Sequence, residues 1–194
     1  MRHPRFGVVL ALAVLTGCAT EQRAERALQA SEDAITAQHA DAIRYAPDTF
    51  KDIMDTYAAA RTAFEAKDYA TAMAGANDAA AKAKQLPTAI AAGKATFTAR
   101  WDTVSANVSM KLLALEKQVA ALSSARKLPP GVVRGDVAAA RDEFPQLQDS
   151  WQKARAAVQR GDLSDAVHAA SQVETRASTW LQKLGMQPGH AMTM

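Results

Sequence analysis

Few side chains in this 194-residue chain combine in ways that do chemistry. Cys18 is the only cysteine, so its thiol has no disulfide partner within the chain. Met186, His190, Met192 and Met194 gather three thioethers and an imidazole near the C-terminus, a set that suits a soft ion such as Cu(I). His39 lies two residues from Asp41, and a histidine near a carboxylate can act as a base. In a helix, however, the pair reads as a polar position beside the seam. His168 has only Gln172, a poor ligand, at the i+4 position. The acid pairs Glu32-Asp33 and Asp142-Glu143 diverge around a helix and read as solvated faces. Ala92-Gly93-Lys94-Ala95-Thr96 has the Gly-Lys of a phosphate loop but neither the earlier glycine nor a Ser/Thr directly after the lysine. No nucleophile elbow or zinc-binding helix motif occurs. The residues therefore point away from an enzyme, and the weight falls on Cys18.

Cys18 closes the stretch Leu15-Thr16-Gly17-Cys18, at the end of an apolar run from Phe6 to Leu15 that follows Arg2 and Arg5. A membrane-spanning helix needs about 20 apolar residues, and this run is about half that. A basic head, a short apolar middle and small residues before a cut mark a secretory signal peptide. The four residues resemble the lipobox of bacterial lipoproteins. The resemblance implies a signal peptide over residues 1–17, cleavage after Gly17, a diacylglyceryl group on Cys18 and acylation of the freed amine. One chain binds a bilayer only marginally, at about 0.8 kcal/mol per buried methylene, whereas two or three hold almost permanently. Ala19 stands where inner-membrane lipoproteins of Gram-negative bacteria usually have Asp. By that resemblance the expected location in such a cell is the outer membrane, facing the periplasm.

The whole chain carries +3, and loss of Arg2 and Arg5 with the leader leaves +1. No basic stripe with interleaved aromatics appears, so nucleic acid is not an expected partner. With Cys18 modified there is no disulfide, and stability must come from packing. Abundant alanine and sparse large aliphatics at near-neutral charge predict thin, closely packed helices.

These elements follow a helical period throughout, with no strand-like alternation. Leu28, Ile35 and Ala42 recur every seven residues and predict a first helix over 22–45, ended at Ala46-Pro47. Pro47 can then open the next helix. Phe50, Ile53, Tyr57, Ala60 and Phe64 form its seam. Lys67-Asp68-Tyr69 predicts a tight reversal with Asp68 as cap, followed by an Ala-rich helix to Leu86. A long helix follows over 88–127, through Trp101, Val104, Val108, Leu112, Leu115, Val119 and Leu122. The step from Val108 to Leu112 is a stutter in the heptad. Leu128-Pro129-Pro130-Gly131 ends it. A helical pattern then covers 132–159, with Pro145 either kinking it or opening a fresh helix, and another covers 164–184.

The first hairpin recurs 94 positions on. Phe144, Leu147, Trp151, Ala154 and Val158 repeat the seam, and Asp162 and Ala166 repeat Asp68 and Ala72. Gly161 and Asp162 predict a helix stop and a cap, with Asp165 at a spacing near that of a capping box. The expectation is an all-α, elongated antiparallel bundle of five to six helices. Two similar hairpins, resembling tetratricopeptide-type pairs, flank a long central helix. Residues 18–184 form one domain and 185–194 a disordered tail. Tyr57, Phe64, Trp101, Trp151 and Trp180 fall in apolar seams and read as core, or else as a groove for a partner helix.

Tyr45-Ala46-Pro47, Lys67-Asp68-Tyr69, Ala72, Ala76 and Ala79-Ala80 make the segment from Ser31 to Ala83 resemble a domain-of-unknown-function family of bacterial envelope lipoproteins. The resemblance implies an Ala-rich helical module at the cell envelope. The expected function is a non-catalytic scaffold that binds another envelope protein, with no cofactor beyond the lipid on Cys18. The alternative is a periplasmic lipoprotein that binds a small ligand or copper through Met186, His190, Met192 and Met194.

Overall fold

The computed structural model describes the backbone of residues 12–186 and the side chains from Ala19 onward. The expected leader therefore lies mostly outside the described residues, as do His190, Met192 and Met194 of the tail. The described residues are all-α, with seven helices and no strand: α1 (Leu12–Thr36), α2 (His39–Tyr45), α3 (Pro47–Glu65), α4 (Tyr69–Ala83), α5 (Leu86–Ser124), α6 (Arg134–Gln159) and α7 (Leu163–Lys183). They gather into two compact units that divide within α5, at Gly93–Lys94.

In the first unit α4 packs against both α3 and α1. Its buried residues are all alanines, Ala72, Ala76, Ala79 and Ala83. A helix with so little bulk on its inner faces lets both neighbours approach closely. α3 turns Phe50, Ile53, Tyr57 and Ala60 inward, as its seam predicts. Pro47 stands in the first turn of α3, where its missing N–H costs nothing. The helix expected over 22–45 is broken instead. A turn at Ala37-Gln38 separates α1 from α2 although neither proline nor glycine stands there, and the break lets α2 lie against α3.

The second unit holds the rest of α5 with α6 and α7. Val104, Val108, Leu112, Leu115, Val119 and Leu122 meet Val137, Ala140, Leu147, Ala154, Ala170, Val173 and Ala177 in one core. α6 runs through Pro145 without interruption. Pro145 therefore opens no fresh helix, and both it and Arg141, whose carbonyl loses its partner, sit on the exposed face. Helix ends are tied by side chains. The Arg134 guanidinium donates to the carbonyls of Leu122, Ala125 and Arg126 at the end of α5. Gln118 Nε2 donates to the Leu184 carbonyl at the end of α7, at 2.9 Å. Each satisfies carbonyls that a helix terminus leaves open.

The 94-residue repeat is structural. α3 ends at Glu65 and α6 at Gln159; α4 starts at Tyr69 and α7 at Leu163. Both reversals close with the same pair of backbone bonds. Lys67 N–H donates to Phe64 and Asp68 N–H to Ala63; Gly161 N–H donates to Val158 and Asp162 N–H to Ala157. Lys67 (φ 63°) and Gly161 (φ 85°) take the left-handed conformation this motif needs. The caps differ. Asp68 accepts from the Thr71 N–H at 3.1 Å and from its hydroxyl at 2.7 Å. Asp162, expected to cap as well, makes no side-chain cap bond and pairs with Arg160 at 3.4 Å. Position 165, which stands 94 residues after Thr71, is aspartate, so the second reversal lacks that hydroxyl at the equivalent place.

Candidate functional site

Cys18 lies within α1, which passes through Gly17 and Cys18 as continuous helix. Ala19, Thr20, Glu21, Gln22 and Arg23 are exposed, and Ala24 is the first buried residue. Six residues at about 1.5 Å each place the Cys18 backbone about 9 Å beyond the packed part of α1. The helix thus carries Cys18 on a stem clear of the bundle core. Among the described residues no helix is long and apolar enough to cross a membrane.

The polar candidates are dispersed. His39 opens α2, exposed, with its ring edge-on to Phe50 at 5.2 Å. His168 is exposed on α7, beside a shallow depression with Ser171, Gln172, Thr175 and Arg176. The segment 92–96 lies inside α5, where the backbone N–H groups serve the helix and cannot cradle a phosphate. Met186 is half-buried, its N–H bonded to the Leu181 carbonyl.

The acid pairs turn out to be structural in part. Glu32 accepts from the Tyr57 hydroxyl at 2.9 Å, joining α1 to α3. Burial, and then the bond to Glu32, pushes the Tyr57 phenol above its ordinary pKa. Glu143 accepts from Arg176 at 2.6 and 2.9 Å, joining α6 to α7. Arg176 stands 94 positions after Lys82, which joins α4 to α3 through Asp52 at 2.9 Å. Asp52 and Asp78 raise the Lys82 pKa, the bond to Asp52 most.

The aromatics are mostly core. Tyr57 is buried; Trp101 and Trp151 stack at 5.4 Å, and with Trp180 they pack half-buried on the core of the second unit. Beside them an open groove of about 600 Å³ runs between α5 and α7. Arg100 and Asn107 lie on one wall, Val167, Ser171 and Glu174 on the other. Lys111 bonds Glu174 across the two helices at 2.8 Å, so the groove's acid is already neutralised. Such a surface accommodates a peptide segment better than a small charged ligand.

α5 also exposes two large apolar side chains one turn apart, Met110 at 63% and Leu113 at 52%. Their exposure depends on which face of α5 meets α6 and α7, so the heptad seam could not single them out. A second count of the same helix, for apolar residues off the seam, would have found them. No protein-family model, characterised protein or solved structure matches the chain.

Proposed function

We propose that this chain is a lipid-anchored protein of the bacterial envelope, held through Cys18, that serves as a non-catalytic interaction module. The observation that carries the reading is the pairing of Met110 and Leu113 on the solvent side of α5. Large apolar groups grouped on a surface mark sites of association. The anchor half of the reading is supported by the Leu15-Thr16-Gly17-Cys18 stretch and by the exposed helical stem that follows it. Residues 31–83, whose motifs resemble a family of envelope lipoproteins, form an Ala-rich hairpin and its approach.

Two measurements test the halves separately. Wild type fractionates with membranes, and Cys18→Ser releases the protein from them; an unchanged distribution refutes the anchor. A photocrosslinking residue at Leu113 captures a protein in intact cells, whereas one at the exposed Gln152 of α6 does not. Equal or absent capture at both refutes the interaction surface.

A further inference from the structure

Resting on the anchor half of that reading, we infer that the α3–α4 reversal docks on the lipid headgroups of the bilayer that holds Cys18, through Lys67 and the aromatic pair Phe64 and Tyr69. Two contacts fix how α1 runs beside α3. The Tyr57 hydroxyl meets Glu32, and the ring of His39, at the start of α2, meets Phe50. Seven residues forward from Glu32 correspond to seven residues back from Tyr57, so α1 and α3 are antiparallel. The N-terminal end of α1 therefore lies at the same end of the first unit as the α3–α4 reversal.

Continuing that count sets Lys67 level with Gln22, four residues short of Cys18, or about 6 Å along the helix axis. The headgroup layer of a bilayer is about 5–8 Å deep on each side. Acyl chains on Cys18 hold its backbone at the base of that layer. Lys67 then stands near the layer's outer edge, and its flexible four-carbon stem carries the ammonium inward.

The residues of the reversal suit such a surface. Lys67 is the only non-glycine residue with positive φ among the described residues, at 63°. Strain of this kind clusters at sites of function. The Lys67 ammonium has no acid partner among the described residues: Glu65 pairs with Arg61 at 3.8 Å, and Asp68 is engaged by Thr71. Phe64 and Tyr69 flank Lys67, half-buried, and meet edge-on at 5.4 Å. Aromatics beside a lysine are the side chains that settle where headgroups meet acyl chains. The equivalent positions of the second reversal hold Val158, Gly161 and Leu163, with neither an aromatic nor a cation. One backbone motif thus occurs twice, and the interfacial set falls on the copy at the anchored end. Glu21 and Glu25 offset Arg23 and Arg26 on the stem of α1, so no broad basic face draws the unit in. The contact is local and depends on the anchor to bring the reversal to the surface.

The test uses the full lipidated chain in vesicles of phosphatidylethanolamine and phosphatidylglycerol. Once Cys18 is acylated, an added cysteine is the only free thiol and takes a polarity-sensitive fluorophore. Ala66→Cys places the label on the reversal, and Gln85→Cys places it beyond the far end of α4; both positions are exposed. The label at 66 shifts to the blue and is quenched by lipid carrying a nitroxide on its headgroup, whereas the label at 85 does neither. Adding Lys67→Gly, which relieves the backbone, lowers the ratio of quenched to unquenched label at 66 about fivefold. Labels that respond alike, or a label at 66 that stays in water, overturn the inference. So does a Lys67→Gly variant quenched as strongly as its parent. Flotation of the vesicles reads the anchor separately. Wild type that floats where Cys18→Ser does not, with the label at 66 in water, refutes the docking alone. Wild type that fails to float removes both.

Discussion

Gly93 of α5 passes directly against the backbone of Tyr45 at the end of α2: a β-carbon on Gly93 would lie 2.7 Å from the Tyr45 carbonyl carbon and closer still to its oxygen. The obstacle is main chain, which cannot rotate aside as a side chain does. The Gly-Lys pair that suggests a phosphate loop in the sequence therefore has a packing reason for its glycine. Gly93→Ala should destabilise the protein by about 2–3 kcal/mol, the upper part of the range for overpacking. Urea unfolding of the two proteins measures it. A loss below about 0.5 kcal/mol would show that α5 shifts freely at this point.

The two reversals differ at one backbone position. Lys67 holds the left-handed conformation that Gly161 holds 94 residues later. An L-residue pays about 1 kcal/mol for it and glycine does not. Lys67→Gly should therefore stabilise by about 1 kcal/mol, and Gly161→Ala should destabilise by a similar amount. Shifts of the same sign in both would remove the equivalence of the reversals.

Ser31 is fully buried on α1, and its hydroxyl has no hydrogen-bond partner. A buried polar group without a partner costs about 1–3 kcal/mol. Ser31→Ala removes the oxygen and leaves a void smaller than a methyl group. The expected result is a gain of about 1 kcal/mol in chemical denaturation. A loss would mean that the hydroxyl is satisfied in solution.

The bond from the Thr71 hydroxyl, and then that from its N–H, holds the Asp68 carboxyl below the usual carboxylate range. The folded chain thus binds this proton less readily than the unfolded one. The stability it contributes is full above the unfolded carboxylate pKa, about 3.9, and is lost as pH falls through the lower folded value. Asp68→Asn keeps an accepting oxygen but does not titrate. The thermal midpoint of wild type should fall relative to that of Asp68→Asn between pH 6 and pH 3. Parallel curves would mean that the cap does not depend on charge.

The amino-acid sequence by itself determined the helical class, the Pro47 start of α3, both reversals and the 94-residue repeat. These depend on spacing along one helix and on turn chemistry within a few residues, so Phe50, Ile53, Tyr57 and Ala60 declare a buried face without knowledge of what covers it. The lipidation reading likewise rests on Cys18 and its immediate neighbours. Only the tertiary structure decided the rest. The break at Ala37-Gln38 has no local signal, because it arises where α2 lies against α3. Asp162 has the residue type of a cap but makes no side-chain cap bond, whereas Asp68 accepts from Thr71. The division of α5 between two units, and the outward turn of Met110 and Leu113, follow from which helices lie alongside it. A helix with apolar residues on two sides can bury either, and its neighbours in space select which one.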